Sequence, residues 1–138
     1  MALVSALLAA VILVSPALVR SGRRARRFAA VRRGSAVDGW AELRDSAYDL
    51  GMANDVTLTP QQLASNLESQ LDDDGAAALA RFRASLESQS FARDSTNPSA
   101  RDLRRVLASL RRGAGLPRAV GATFVPLSLV REWLPARQ

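Results

Sequence analysis

The chain of 138 residues contains no cysteine, no histidine and no lysine. Without cysteine it has no disulfide, no thiolate nucleophile and no cysteine-based metal site. Without histidine it lacks the usual general base near neutral pH. Catalysis would have to be assembled from Asp, Glu, Ser, Tyr and Arg, and no spacing of those residues marks such a site. The chain therefore reads as non-catalytic, with no cofactor, no bound metal and no small-molecule substrate. Strand-like alternation is missing as well. Only the short apolar run Ala122 to Val125, between Gly121 and Pro126, is left open.

Two local absences of charge are more informative. From Ala2 to Val19 there is no Asp, Glu, Lys or Arg, and from residue 20 to 33 there is no acid. A helix over the first run would be about 27 Å long, close to a hydrocarbon core of about 30 Å. Seven arginines follow it at once: Arg20, Arg23, Arg24, Arg26, Arg27, Arg32 and Arg33. Arginine behind a span holds that end in the cytoplasm. The expectation is thus a bacterial plasma-membrane protein with a single pass, its N-terminus outside and its C-terminal domain cytoplasmic. A cleaved signal peptide would carry its positive charge before the apolar run, not after it. Pro16 predicts a kink in the last turn, and Ser5 and Ser15 can bond back to the helix backbone.

The net charge of +6 is unevenly distributed. Beyond the arginine stretch, the residues from Gly34 onward hold twelve arginines against thirteen carboxylates. A near-neutral domain lacks the sustained basic patch that a polyphosphate partner needs, so no nucleic acid is expected. The seven arginines are assigned instead to the anionic inner leaflet of the bilayer, with an unknown protein as the second partner.

Periodicity and punctuation predict four amphipathic helices after the arginines. The first spans about Ala36 to Leu50, with Trp40, Leu43, Ala47 and Leu50 on one face, Ser35 or Asp38 as cap and Gly51 as stop. The second opens at Thr59-Pro60-Gln61-Gln62, a capping box with proline in the first turn, and buries Leu63, Ala64, Leu67 and Leu71. The third follows Asp72-Asp73-Asp74, carries Leu79, Phe82 and Leu86 inward, and fades near Phe91 to Arg93. Ser95 to Pro98 is a turn. Ser99 and Asp102 open the fourth helix, whose stripe is Leu103, Val106, Leu107 and Leu110, ended by Gly113 and Gly115.

The fold expected is all-α: one N-terminal transmembrane helix followed by a small three- to four-helix cytoplasmic bundle. The divisions are a transmembrane helix over 1–19, an arginine-rich juxtamembrane linker over 20–34, a helical domain over 35–112 and a tail over 113–138. The tail's amphipathic segment, Leu127 to Leu134, is expected to pack on a bundle too small to be comfortable alone. Asp72-Asp73-Asp74-Gly75 lacks the spacing of a calcium loop and reads as a helix start. The glycines at 34, 39, 113 and 115 lack phosphate-loop spacing and read as turns. Trp40 and Tyr48 read as core.

Residues Gly39-Trp40-Ala41-Glu42-Leu43-Arg44-Asp45-Ser46-Ala47-Tyr48-Asp49-Leu50-Gly51 carry a resemblance, together with Thr59-Pro60-Gln61-Gln62-Leu63-Ala64 and Phe91-Ala92-Arg93. In that order they resemble the C-terminal region of actinobacterial membrane-bound transglutaminase-like proteins of the TgpA type. The likeness extends from the apolar run to about Arg112 and implies a last span plus a cytoplasmic domain of unknown function. That family's catalytic Cys and His lie in an extracytoplasmic domain and have no counterpart here. Trp40, Leu43, Asp45, Leu50 and Gly51 match its first-helix motif, and Phe91 departs from an expected Tyr. The function expected is anchoring and protein interaction. The alternatives are a membrane-tethered helix-turn-helix regulator built on the Thr59 helix, or the severed tail of an enzyme whose catalytic part lies upstream.

Overall fold

The computed structural model describes residues 2–53, 55, 57–91 and 97–115; the side chains of residues 2–14 and of Pro16 lie outside the described residues. Over the described residues the fold is all-helical, and five helices follow one another: α1 (Ala2–Arg32), α2 (Ala36–Asp49), α3 (Pro60–Glu68), α4 (Asp73–Phe91) and α5 (Ala100–Ala114). The last four correspond closely to the four helices expected from periodicity.

Their boundaries follow from local chemistry. Ser35 caps α2 by accepting the Asp38 amide, and Ser99 caps α5 by accepting that of Asp102. Thr59 and Gln62 form the reciprocal capping box of α3. The chain leaves α2 through Gly51 at φ +70°, a backbone angle that suits glycine. There the Gly51 amide donates to Tyr48 and the Met52 amide to Ala47, both at 2.9 Å. That double bond pattern closes the helix, and Met52 folds back against the core. α5 runs one step further than expected, through Gly113, and stops at Gly115.

Packing is set by α4 and α5, which form the most extensive helix pair, with α1 laid along α2 and both joined to that pair. Leu43, Leu63, Leu67, Leu79, Leu103 and Leu110 are almost fully buried, each contributing about 1.5–3 kcal/mol relative to exposure. Gly39 is where α1, α2 and α4 converge. A Cβ placed there would lie 2.7 Å from Val31 Cγ2 and closer still to the Phe82 ring, so the glycine is a packing requirement, not the turn expected of it.

No helix among the described residues is long and apolar enough to cross a membrane. The single-pass reading of residues 1–19, with its plasma-membrane placement and outer N-terminus, is corrected on that finding. The physical reason visible here is that the helix does not end where a span would, at Val19. It continues unbroken to Arg32, and its first arginine turns onto a neighbouring helix: the Arg20 side chain is only 11% exposed. The stretch 20–34 is accordingly no linker, because all but its last two residues belong to α1. The tail segment Leu127 to Leu134 and the run Ala122 to Val125 lie outside the described residues.

Candidate functional site

The charged residues are sorted by helix face, and that sorting creates the most distinctive feature of the molecule. On α1, Arg20, Arg24 and Arg27 recur at helical spacing and face α2. On α2, Glu42, Asp45 and Asp49 do the same and face α1. Arg20 Nη1 donates to Glu42 at 2.8 Å, its Nε to Asp49 at 3.0 Å and its Nη2 to Ser46 at 3.0 Å. Arg27 Nη1 donates to Asp45 at 2.6 Å and to Glu42 at 3.3 Å. Arg24 Nε stands 3.8 Å from Glu42, and Ser46 donates to the second Glu42 oxygen at 3.2 Å.

Glu42 is the centre of this network and is fully buried. An ionised carboxylate tolerates such burial only when paired and hydrogen-bonded. Burial acts to lower the Arg20 pKa, but the hydrogen bonds and charges of Glu42 and Asp49 outweigh it and hold the group above its ordinary value. Only the pattern of arginines at 20, 24 and 27 against acids at 42, 45 and 49 could have announced this in the sequence. A run of seven arginines behind an apolar stretch concealed it.

The structure thus splits the seven arginines. Arg20, Arg24 and Arg27 turn inward, Arg23 is half-buried and engaged, and Arg26, Arg32 and Arg33 are exposed. Gln89 of α4 braces the α1–α2 turn beside them. Its carbonyl oxygen accepts the Ala36 amide at 2.9 Å, and its amide nitrogen donates to the Gly34 carbonyl.

A second cluster joins the α3–α4 turn to the end of α5. Asp72 accepts the Gly75 amide at 2.8 Å, the Ser109 hydroxyl at 2.8 Å and Arg112 at 2.5 Å. Ser109 in turn accepts the Asp72 amide at 3.0 Å. These bonds make Asp72 the cap of α4, as the reading of Asp72 to Gly75 as a helix start expects. Among the described residues, no group of three or more acids is arranged to hold a metal ion. The open depression lined by Asp72, Ser109 and Arg112 is the rim of this cap.

The Arg112 hydrogen bond, then those of Gly75 and Ser109, hold the Asp72 carboxyl down to about 2 from an ordinary 3.8. A depressed carboxylate stabilises the fold above its unfolded value, and that contribution disappears as pH falls through its folded value. Asp72 should therefore titrate near 2 by NMR, with its share of stability present above pH 3.8 and lost towards 2. A midpoint at the ordinary value would show that the cap does not hold the charge in solution.

Outward-facing arginine dominates α5. Its residues Arg101, Arg104, Arg105, Arg111 and Arg112 are all exposed, against a single acid, Asp102. Asp102 is occupied by Arg81 at 2.9 Å, with Arg105 at 3.9 Å. Arg104 of α5 and Arg24 of α1 lie over the same Phe28 ring, at 5.7 and 5.6 Å from its centroid. Desolvation, then the nearby positive charge of Arg111, lowers the Arg24 pKa.

A comparison with family models, with curated proteins and with solved structures finds no match to this chain. The likeness to transglutaminase-like proteins rests on the quoted residues alone. In the fold, Trp40, Leu43 and Leu50 of that motif are buried, Gly51 closes α2 and Asp45 holds Arg27.

Proposed function

We propose that this chain is a non-catalytic protein-interaction module, related to the C-terminal region of transglutaminase-like membrane proteins. The observation that carries this reading is the sorting of charge by face. Glu42, Asp45 and Asp49 of α2 are turned inward onto α1, so the near-neutral composition does not describe the surface. What faces outward on α5 is mostly arginine, mounted on a braced helical body. Such a surface supplies specificity and rapid association with an oppositely charged partner.

The helix-turn-helix alternative finds little to recommend it. The capped helix α3 carries no basic residue, and α4 begins with Asp73 and Asp74, which repel phosphate. The enzyme-tail alternative concerns residues beyond these and draws on no feature of the bundle.

The test is affinity capture with the full chain at about 150 mM salt, followed by reconstitution with the purified captured protein. A complex of fixed stoichiometry that weakens as salt rises is the expected result. A chain that reconstitutes with nothing it captures, at low as well as moderate salt, would remove the reading.

A further inference from the structure

We propose that the arginine face formed by α5 and the adjoining part of α1 docks an acidic helical segment of a partner protein. This deepens the module reading and rests on it. The face has a definite register. Arg101, Arg104 and Arg111 are separated by three and seven residues, so they stand in one row along α5, with Arg24 beside the row at the Phe28 ring. Among the described residues no carboxylate pairs with Arg104 or Arg111, and Asp102 is already taken by Arg81.

The molecule itself shows what such a row accepts. Between α1 and α2, arginines at 20, 24 and 27 meet carboxylates at 42, 45 and 49 of a facing helix, the outer members of each set seven residues apart, which is the step from Arg104 to Arg111. A partner helix with acids seven residues apart would meet Arg104 and Arg111 in the same way, each guanidinium fork donating to a carboxylate.

Two other anionic partners fit less well. Insertion into a lipid surface needs large apolar side chains among the basic ones; the outer positions of α5 other than arginine are Ala108 and Gly113, and the exposed Leu18 and Val19 of α1 lie more than a turn before Arg24. Single-stranded nucleic acid needs an open aromatic ring for stacking, and the ring of this face, Phe28, is only 9% exposed.

The probe is a fluorescein-labelled, alanine-based helical peptide with Glu at positions i, i+3 and i+7. Its binding to the full chain is followed by anisotropy at about 150 mM salt. A random-sequence single-stranded DNA and vesicles of phosphatidylglycerol and phosphatidylcholine serve as rivals. The double variant Arg104→Gln/Arg111→Gln should weaken peptide binding about tenfold, since exposed charge pairs are individually modest. The double variant Arg26→Gln/Arg33→Gln removes the same charge elsewhere and should change it little. Arg111→Glu, which leaves the Phe28 contact of Arg104 intact, should weaken binding at least as much as the first double variant without lowering the melting temperature.

Equal losses in the two double variants would overturn the proposal, because binding would then follow net charge alone. Tighter, face-dependent binding of DNA or vesicles would overturn it in favour of that partner. A captured protein whose binding ignores Arg104 and Arg111 overturns the face but leaves the module reading standing. The absence of any reconstituted partner removes the module reading itself.

Discussion

Replacing Glu42 by alanine lowers the stability of the bundle by about 3–5 kcal/mol, the usual consequence of stripping one partner from a buried ion network. Arg20 and Arg27 would keep Asp49 and Asp45, but each would lose its bond to the shared carboxylate at the centre. Their side chains, 11% and 18% exposed, cannot recover that interaction from water without moving. A small domain is stable by about 5–15 kcal/mol, so much of the margin is at stake. The melting midpoint of the full chain, followed by circular dichroism, should fall by about 15 °C or more. An unchanged midpoint would mean that α1 is hydrated along this face in solution. The double replacement Arg20→Met/Glu42→Leu should restore little of the loss, since Asp49, whose side chain is 4% exposed, then loses its bond to Arg20.

The second large effect is expected at Phe82, which is 1% exposed and sits against Gly39. Phe82→Ala should cost about 3–5 kcal/mol, combining lost burial with the cavity left between α2 and α4. Gly39→Ala alone should cost about 1–3 kcal/mol, because its methyl would strike Val31 and the same ring. The two substitutions touch one space and should not add. The double variant Gly39→Ala/Phe82→Ala should be more stable than the sum of the single effects, by about 0.5–3 kcal/mol in a denaturation cycle. Simple additivity would show that Gly39 and Phe82 do not meet.

Local signals were enough to place α2 to α5. The cap residues Ser35, Thr59 and Ser99 act at the backbone of their own helices, and the Leu103–Val106–Leu107–Leu110 stripe needs no knowledge of its partner to be read. The α2 stop at Gly51 was legible for the same reason. Tyr48 was less so: it is only half-buried, unlike Trp40. The role of Gly39 was hidden, since a helical glycine looks alike in a sequence whether it faces water or a phenyl ring. Gln89 was hidden too. Its two bonds to the α1–α2 turn reach across more than fifty residues of chain.

The candidate site was concealed by a competing interpretation of the same residues. An apolar run with arginines behind it is a membrane pattern by composition, whatever the arginines later touch. The near-neutral total from Gly34 onward concealed the arginine face in a complementary way, because a sum carries no direction. Asp38, Glu42, Asp45 and Asp49 count against the arginines of α5 in that total, yet Glu42, Asp45 and Asp49 are turned away onto α1.

The sequence by itself determined that the described chain is helical, where α2 to α5 start and stop, and which apolar stripes close the core. Those properties depend on neighbours within a turn or two along one helix. Only the tertiary structure decided which arginines are neutralised and which remain outside. A charge is paired or free according to what lies across from it, and α1 meets α2 and α5 through space, not along the chain.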